Sequence, residues 1–520
     1  MVNMPILNLN HDIPPMILWT FACVIALTWA LIWTRQHFKY GTRYPPSPPG
    51  YALFTNGRKD CPVPPLWCAC LEWGKTYGNI LFLQAFFTRP IVALNSLEDA
   101  TELLGKRSHN YSSRPKIPMY ELMGYTFTTG VKFYGAELRY HRRILEREFR
   151  HDAALLYRPV QTEKMIDALY ELLTTPEDFI AHIKTYAAAI ILSAMYGYDV
   201  SPKEDKFVIL SESSDRAFSE GPSSKWTINT FPFLRHVPSW VPGAGFKRYA
   251  SSVRSVLREQ LIAPYQFVVE SLCHTEKDYD ILQQVTASGY NGLYVFKSGV
   301  GTVRFITNEW TASSITNFLI AMVTFPEVQT RAQLEIDNVT GGTRLPDYSD
   351  LPLLPYIEAM FREVLRWKPI VPLGLPHICK EEDIYNEYYI PKETLVHPNI
   401  WAMTRDPTKY IDAENFNSDR FLNDAGKLND DRVEYAFGFG RRICPGQHLA
   451  SASVWLAMAT ILSMFTIGKM KDAFGDDIPL EVKFTENGIL SYPLPFKCTI
   501  KPRSDKARQL ILEAYKMARN

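Results

Sequence analysis

The sequence predicts a mainly α-helical body with small β-sheets, preceded by one N-terminal transmembrane helix. Three features predict it. Residues 16–34 are apolar and free of charge, the stretch that follows is rich in proline, and most segments from about 136 to 340 repeat their apolar residues at helical spacing. With 520 residues and 46% hydrophobic side chains, the chain has enough material for a core that encloses a cofactor. A formal charge of +1 gives no electrostatic case for a nucleic-acid partner. There is no internal repeat and no charged tail. The eight cysteines, at 23, 61, 68, 70, 273, 379, 444 and 498, are too scattered for a disulfide-stapled secreted scaffold. Cys68 and Cys70 are too close for the usual C-x-x-C zinc spacing, and no His or Cys cluster follows, so both read as ordinary residues.

Met16 to Thr34 reads MILWTFACVIALTWALIWT. As a helix it spans about 28 Å, close to the thickness of a bilayer core. Trp19, Trp29 and Trp33 suit the interfaces. Arg35, His37, Lys39 and Arg43 follow it, whereas only Asp12 precedes it. The positive-inside rule then leaves residues 1–15 luminal and the rest of the chain cytosolic, as in a single-pass protein of the endoplasmic reticulum membrane. A cleaved signal peptide is disfavoured, because the run is long and no small-residue cleavage site precedes the charges. Tyr44-Pro-Pro-Ser-Pro-Pro-Gly50 then forms a stiff extended connector. Residues 35–50 are thus a basic, proline-rich linker and 51–520 the globular body. Asn110-Tyr-Ser and Asn338-Val-Thr fit the glycosylation pattern, which has no consequence in a cytosolic domain.

Within the body, Ile80 to Gln84 and Ile91 to Leu94 read as strands. Ser96 caps a helix that runs to Leu104. Pro232 to Gly245, with Phe231 ahead of it, is a break rich in aromatics and prolines. Phe231, Phe233 and Trp240 are too apolar for an idle surface loop and suggest contact with a membrane face. One helical run is expected from Asn317 through Ala332 into Ile336, and another from Leu354 to Trp367, with Glu363 and Arg366 on one face. Short strands and turns fill 370–400. An irregular stretch leads to Cys444, and a helix starts immediately after it.

FGFGRRICPG, residues 437–446, carries the chemistry. Its glycines permit a tight, closely approached backbone, and Pro445 suits the first turn of a helix. Cys444 is thereby placed at a helix N-terminus beside Arg441 and Arg442, where positive potential favours a thiolate. A thiolate in such a loop is what an iron axial ligand requires. A lone cysteine would be read as structural. This one sits in a stretch that matches F-x-x-G-x-R-x-C-x-G at Phe437, Gly440, Arg442, Cys444 and Gly446.

By that signature the chain resembles the cytochrome P450 family, the haem-thiolate monooxygenases, and the resemblance runs from the anchor to the C-terminus. Glu363-Val-Leu-Arg366 resembles the family's E-x-x-R, and Phe416-Asn-Ser-Asp-Arg420-Phe its F-x-P-E-R-F, with Ser418 and Asp419 in place of Pro-Glu. YSSRP at 111–115, NIWAMTRDP at 399–407 and FKCTIKPRS at 496–504 are similar to fungal members that tailor small natural products. The resemblance implies a P450 fold and haem b, with Cys444 as axial ligand of the iron and Phe437 packed against it. Arg442, Arg142 and His377 fall where the family's propionate partners stand, although Leu138 replaces the usual Trp of W-x-x-x-R. Glu363, Arg366 and Arg420 would form a buried structural charge triad. Residues 119–127, 306–311, 370–374 and 489–491 would line the substrate.

The family's oxygen-activating A-G-x-D/E-T should fall on Ile306-Thr-Asn-Glu-Trp310. Only the acid, Glu309, fits. Trp310 holds the threonine position, and Thr311 lies about 100° further around a helix. Glu309 and Thr311 are therefore the candidates for proton delivery. Upstream, 292–310 is glycine-rich and β-branched, poor for a long helix. Two explanations arise, a divergent helix or a retained intron, and the abrupt break in otherwise family-like sequence favours the second. The expected activity is oxidation of an apolar small molecule by O₂, with electrons from NADPH through a separate NADPH–cytochrome P450 reductase, since no flavin or nicotinamide domain is visible in the sequence. The alternative, suggested by Trp310, is a haem protein with altered or lost oxygen activation, an isomerase or dehydratase or an inactive relative.

Overall fold

The computed structural model describes residues 43–48, 65–84, 89–223, 225–272, 310–485 and 488–519. The expected transmembrane helix, most of the linker, and 292–309 with Glu309 lie outside the described residues. The longer helices are α1 (Leu66–Tyr77), α2 (Ala136–Phe149), α3 (Arg158–Thr174), α4 (Phe179–Tyr196), α5 (Lys206–Glu220), α6 (Gly245–Leu272), α7 (310–324), α8 (Pro326–Thr340), α9 (Pro355–Trp367), α10 (Gln447–Met464) and α11 (Asp505–Arg519). The strands are β1 (Ile80–Leu83), β2 (Ile91–Leu94), β3 (His377–Ile378), β4 (Asp383–Tyr385), β5 (Tyr388–Ile390), β6 (Leu395–Pro398), β7 (Phe465–Gly468) and β8 (Thr499–Pro502).

The core is built of helices buried nearly all round, α10 and α4 because their sequences are largely apolar and α9 because its buried charges are paired with one another and with backbone carbonyls. In α10 the run Ser453–Met464 is buried throughout, and α8, α9 and α3 pack against it. In α9 every residue from Ala359 to Trp367 is buried. Pro176–Tyr196, which contains α4, is long and apolar enough to cross a membrane. Here it is a core helix, with Tyr186 to Leu192 buried and its length laid along α3.

β1 and β2 fall where the sequence placed strands and β3 to β6 lie within the expected 370–400 stretch, whereas β7 and β8 were not anticipated. The main sheet has the order β1-β2-β6-β3. Val92 of β2 lies opposite Val396 of β6 in a parallel pair, and Val396 faces His377 of β3 in an antiparallel one. Long-range pairing thus brings the 377 region beside the N-terminal strands. β4–β5 and β7–β8 are two-stranded ribbons. Ser96 caps as expected, its Oγ accepting from the Asp99 N–H at 3.0 Å, but the chain widens into a π-helical turn over Thr101–Lys106.

Two expectations shift. The single run from Asn317 to Ile336 is two helices, α7 and α8. Pro326 lacks an N–H and pushes Phe325 out of helical conformation (φ −124°, ψ 72°), so the chain breaks there and restarts with proline in the first turn. The 232–245 break contains a short 3-10 turn, Pro232–His236, with Phe233 67% and Trp240 79% exposed. A second apolar cluster, which includes Met119, Tyr120, Met123, Tyr125 and Phe218, lies between the 118–127 segment, α5 and α6.

Candidate active site

The loop that presents Cys444 is folded by its glycines. Gly438 and Gly440 adopt φ of +93° and +50°, which L side chains rarely adopt. A Cβ on Gly440 would come within 2.4 Å of the Leu104 carbonyl, so the loop lies directly on the π-helical turn. Gly440→Ala is therefore expected to destabilise the protein by about 2–3 kcal/mol through strain and clash together, seen as a lower Tm in thermal unfolding. The Cys444 N–H donates to the Phe437 carbonyl at 2.8 Å and closes the loop. Helix α10 begins at Gln447, so Pro445 occupies the preceding turn rather than the first helical turn. Burial pushes the Cys444 thiol above its ordinary value, and the Gly446 N–H and Arg142 pull it the other way. Charge on this sulfur therefore needs a nearby cation such as a metal.

Cys444 lines a cavity of about 1280 Å³, its mouth included, together with Phe437, Gly446, Arg142, His377 and Arg442. These six come from α2, β3 and the loop before α10, and all were singled out in the sequence. Arg114 also lines the cavity and was missed, although it stands within the YSSRP stretch.

The electrostatics of the cavity are unbalanced. Arg442 donates to the Ser112 carbonyl at 2.6 Å, the Thr129 carbonyl at 3.2 Å and the Lys132 carbonyl. Arg114 donates to the carbonyls of Gly130, Leu375 and Pro376 at 2.8–3.0 Å. Neither makes an ion pair with a carboxylate among the described residues, and both are buried. Burial and repulsion from Arg114 and Arg142 pull Arg442 down to about 8, and burial and repulsion from Arg142 pull Arg114 down to about 9. Arg142 reaches the Ile443 carbonyl at 2.6 Å and Glu146 at 3.1 Å. His377 gives its Nδ1 proton to the Tyr111 carbonyl at 2.7 Å, and burial beside Arg114 holds it neutral. Buried cations facing one cavity fit a ligand that carries carboxylates of its own. The two propionates of haem b satisfy that requirement, the Cys444 sulfur offers an iron ligand, and Phe437, Val371 and Leu490 supply apolar walls.

Glu363, Arg366 and Arg420 also meet, away from the cavity. Arg366 grips Glu363 with two hydrogen bonds at 2.6 and 2.7 Å, both residues being fully buried, and Arg420 reaches the same carboxylate at 3.3 Å. The Asn417 N–H adds a further bond at 2.8 Å. The remaining donors of Arg366 hold the carbonyls of Thr404, Ala413 and Asn415. Helix α9 is thus the peg on which the irregular stretch leading to Cys444 hangs. Asp419, in the altered motif, pairs instead with Arg331 at 2.6 Å.

The structure separates the two remaining candidates. Glu309 lies outside the described residues. Thr311 is buried in α7, its hydroxyl without a hydrogen-bond partner among the described residues, and it is not among the residues that line the cavity. Its neighbour Trp310 faces the cavity and stacks on Phe437, with ring centroids 5.0 Å apart. A third plane between two rings needs about 7 Å, so none fits between these as they stand. Of the expected lining, Trp310, Val371, Gly374 and Leu490 reach the cavity, whereas 119–127 packs behind it in the second cluster. Asp215 and Phe218 of α5 line it unanticipated. The signal was present: Phe207, Val208, Ser211, Asp215 and Phe218 recur at helical spacing, which puts an acid on the buried stripe of α5.

Comparison with known proteins agrees with this geometry. The family description "Cytochrome P450" matches residues 45–498. Cytochrome P450 monooxygenase COX1 of Coprinopsis cinerea is 35% identical over 488 residues, covering 91% of this chain and 93% of its own. Cytochrome P450 monooxygenase 176 of Postia placenta is 35% identical over 498 residues, 92% and 95% of the two chains. Tryptamine 4-monooxygenase of Psilocybe cyanescens is 35% identical over 480 residues, 89% and 94%. The chain belongs to the cytochrome P450 family and is a monooxygenase.

Proposed function

We propose that this protein is a membrane-anchored haem-thiolate monooxygenase that oxidises an apolar small molecule, as in fungal secondary metabolism. One observation supports it most: Cys444 and a set of buried cations share one largely apolar cavity. Cys444 would hold the haem iron through its sulfur, beside which Phe437 and the Gly446 N–H are placed. Arg114, Arg142 and Arg442 would hold the propionates, and His377 would join them by taking a proton at Nε2 once a propionate carboxylate stands beside it. When bound, haem b supplies the oxygen chemistry, inserting one atom of O₂ into the substrate and reducing the other to water, and a thiolate ligand favours O–O cleavage. The protein's share is to orient the substrate and exclude water, through Trp310, Val371 and Leu490. Electrons come from NADPH through a separate membrane-bound reductase. The motif assigns proton delivery to Glu309. Residues 16–34 anchor the chain in the endoplasmic reticulum membrane, and the exposed Phe233 and Trp240 rest on its cytosolic face.

Arg114→Met tests the propionate assignment. It removes one buried charge while keeping bulk. The expected result is haem that dissociates at least about ten-fold faster, read as transfer to an apo-globin acceptor. Unchanged haem retention would contradict the assignment.

A further inference from the structure

Two aromatic rings from different elements meet in the cavity that holds Cys444. Phe437 is fixed to the sulfur's own loop. It ends the 3-10 turn Glu434–Phe437, and its carbonyl accepts the Cys444 N–H at 2.8 Å. Trp310 opens the described part of α7. The helix behind it is locked: Ala312, Ile315 and Phe318 are buried, and the Asn317 amide donates to the Lys368 carbonyl at 3.1 Å. Both rings are half-buried at the edge of the main core and both line the cavity. Their centroids are 5.0 Å apart and their planes are inclined by 29°. Nothing in that arrangement is polar; it is a contact between two flat apolar faces.

The same cavity carries a demand that this contact opposes. Arg114, Arg142 and Arg442 call for a ligand with carboxylates, and the sulfur calls for a metal. A flat macrocycle with both cannot enter while the rings touch. Both conditions are met once the rings part by about 2 Å, which leaves one layer's thickness of about 3.5 Å on each side of an inserted plane. A shift of that size lies within the reach of side-chain torsions at the start of a helix, and α7 itself need not move. Phe437 shares its loop with Cys444, so a plane between the rings has the sulfur and Phe437 on one side and the indole on the other.

We propose that Trp310 is a cofactor-binding residue, the second jaw of an aromatic clamp with Phe437, and that its indole covers part of the haem face turned away from Cys444. This rests on the cavity being the haem chamber of the monooxygenase. The indole adds stacked area that retains the haem. It also fills space on the face where oxygen and substrate meet the iron, which narrows the substrate class to slim or flat apolar molecules that fit beside an indole.

The test uses the haem-loaded full chain as wild type, Trp310→Phe and Trp310→Ala. Haem loss is read as transfer to an apo-globin acceptor. The expected result is loss about ten-fold faster or more in Trp310→Ala and within about three-fold of wild type in Trp310→Phe, which keeps a flat ring. Imidazole and the bulkier 4-phenylimidazole are then titrated as iron ligands, followed by the shift of the Soret band. Trp310→Ala should bind 4-phenylimidazole about ten-fold more tightly and imidazole within about two-fold of wild type. Haem loss unchanged in Trp310→Ala, or the same change for both imidazoles, would overturn the proposal. So would a lower unfolding temperature of the haem-free Trp310→Ala chain with haem loss unchanged, which is the signature of a core residue alone. The reduced, CO-bound spectrum of wild type is recorded alongside. A missing thiolate-haem band contradicts the haem reading and the clamp with it, whereas an intact band with unchanged haem loss contradicts only the role of Trp310.

Discussion

Cys444→Ser abolishes turnover, with an expected loss of product formation greater than about a hundred-fold, and leaves the unfolding of the haem-free chain nearly unchanged. The asymmetry follows from where the residue sits. Its backbone N–H closes the loop onto Phe437 whatever the side chain, and serine keeps that bond. Its sulfur is what changes. A hydroxyl is harder and far less acidic than a thiol, and it does not replace a thiolate on iron. Among the described residues no other cysteine stands in for it, since Cys68, Cys70, Cys379 and Cys498 are not among the cavity residues. Bound haem per chain and NADPH-dependent product, measured on matched preparations, check this. Retention of wild-type turnover would remove Cys444 from the chemistry.

Arg366→Leu is expected to be the most destabilising single change outside the cavity, at about 3–5 kcal/mol. It strands the fully buried Glu363 carboxylate and leaves the carbonyls of Thr404, Ala413 and Asn415 without their donor. Arg420, at 3.3 Å from Glu363, compensates only part of the charge. The double change Glu363→Gln with Arg366→Met, which removes the charge pair instead of halving it, should cost less than Arg366→Leu alone. Denaturant unfolding of wild type, Glu363→Gln, Arg366→Met, Arg366→Leu and the double variant decides. If the double variant is as unstable as the two single costs summed, the charge pair is not the coupled unit the geometry shows. Haem should be lost before the global transition in Arg366→Leu, because the stretch released from α9 is the one that leads into the Cys444 loop.

Much of this site was legible before any coordinates. Phe437, Gly440, Arg442, Cys444 and Gly446 are fixed by a contiguous loop whose geometry is local, and local geometry is written in glycine and proline positions. Arg142 and His377 could be placed only through the family pattern, because α2 and β3 reach the cavity by long-range packing. Arg114 was missed for the same reason: nothing near it in sequence says that its N–H groups will hold Gly130 and Leu375 and that its charge will face Arg142. Asp215 had a visible signal, an acid on the apolar stripe of α5, that was not used. The expected helix across 317–336 failed at Pro326, where the proline at the start of a helix outweighed continuous apolar spacing. Position 310 is where sequence and geometry agree on a departure from the family. Threonine is absent there, and the tryptophan in its place stacks on Phe437.

The central claim, that Cys444 is the thiolate ligand of a haem seated in this cavity, is tested most directly by the reduced, CO-bound absorption spectrum of membranes expressing the chain as written, including 292–310. A Soret maximum at about 450 nm is the expected result, and it also requires that Trp310 give way to the cofactor. A maximum at about 420 nm, or none, would contradict the claim, because the sulfur would then not be bound to the iron as a thiolate.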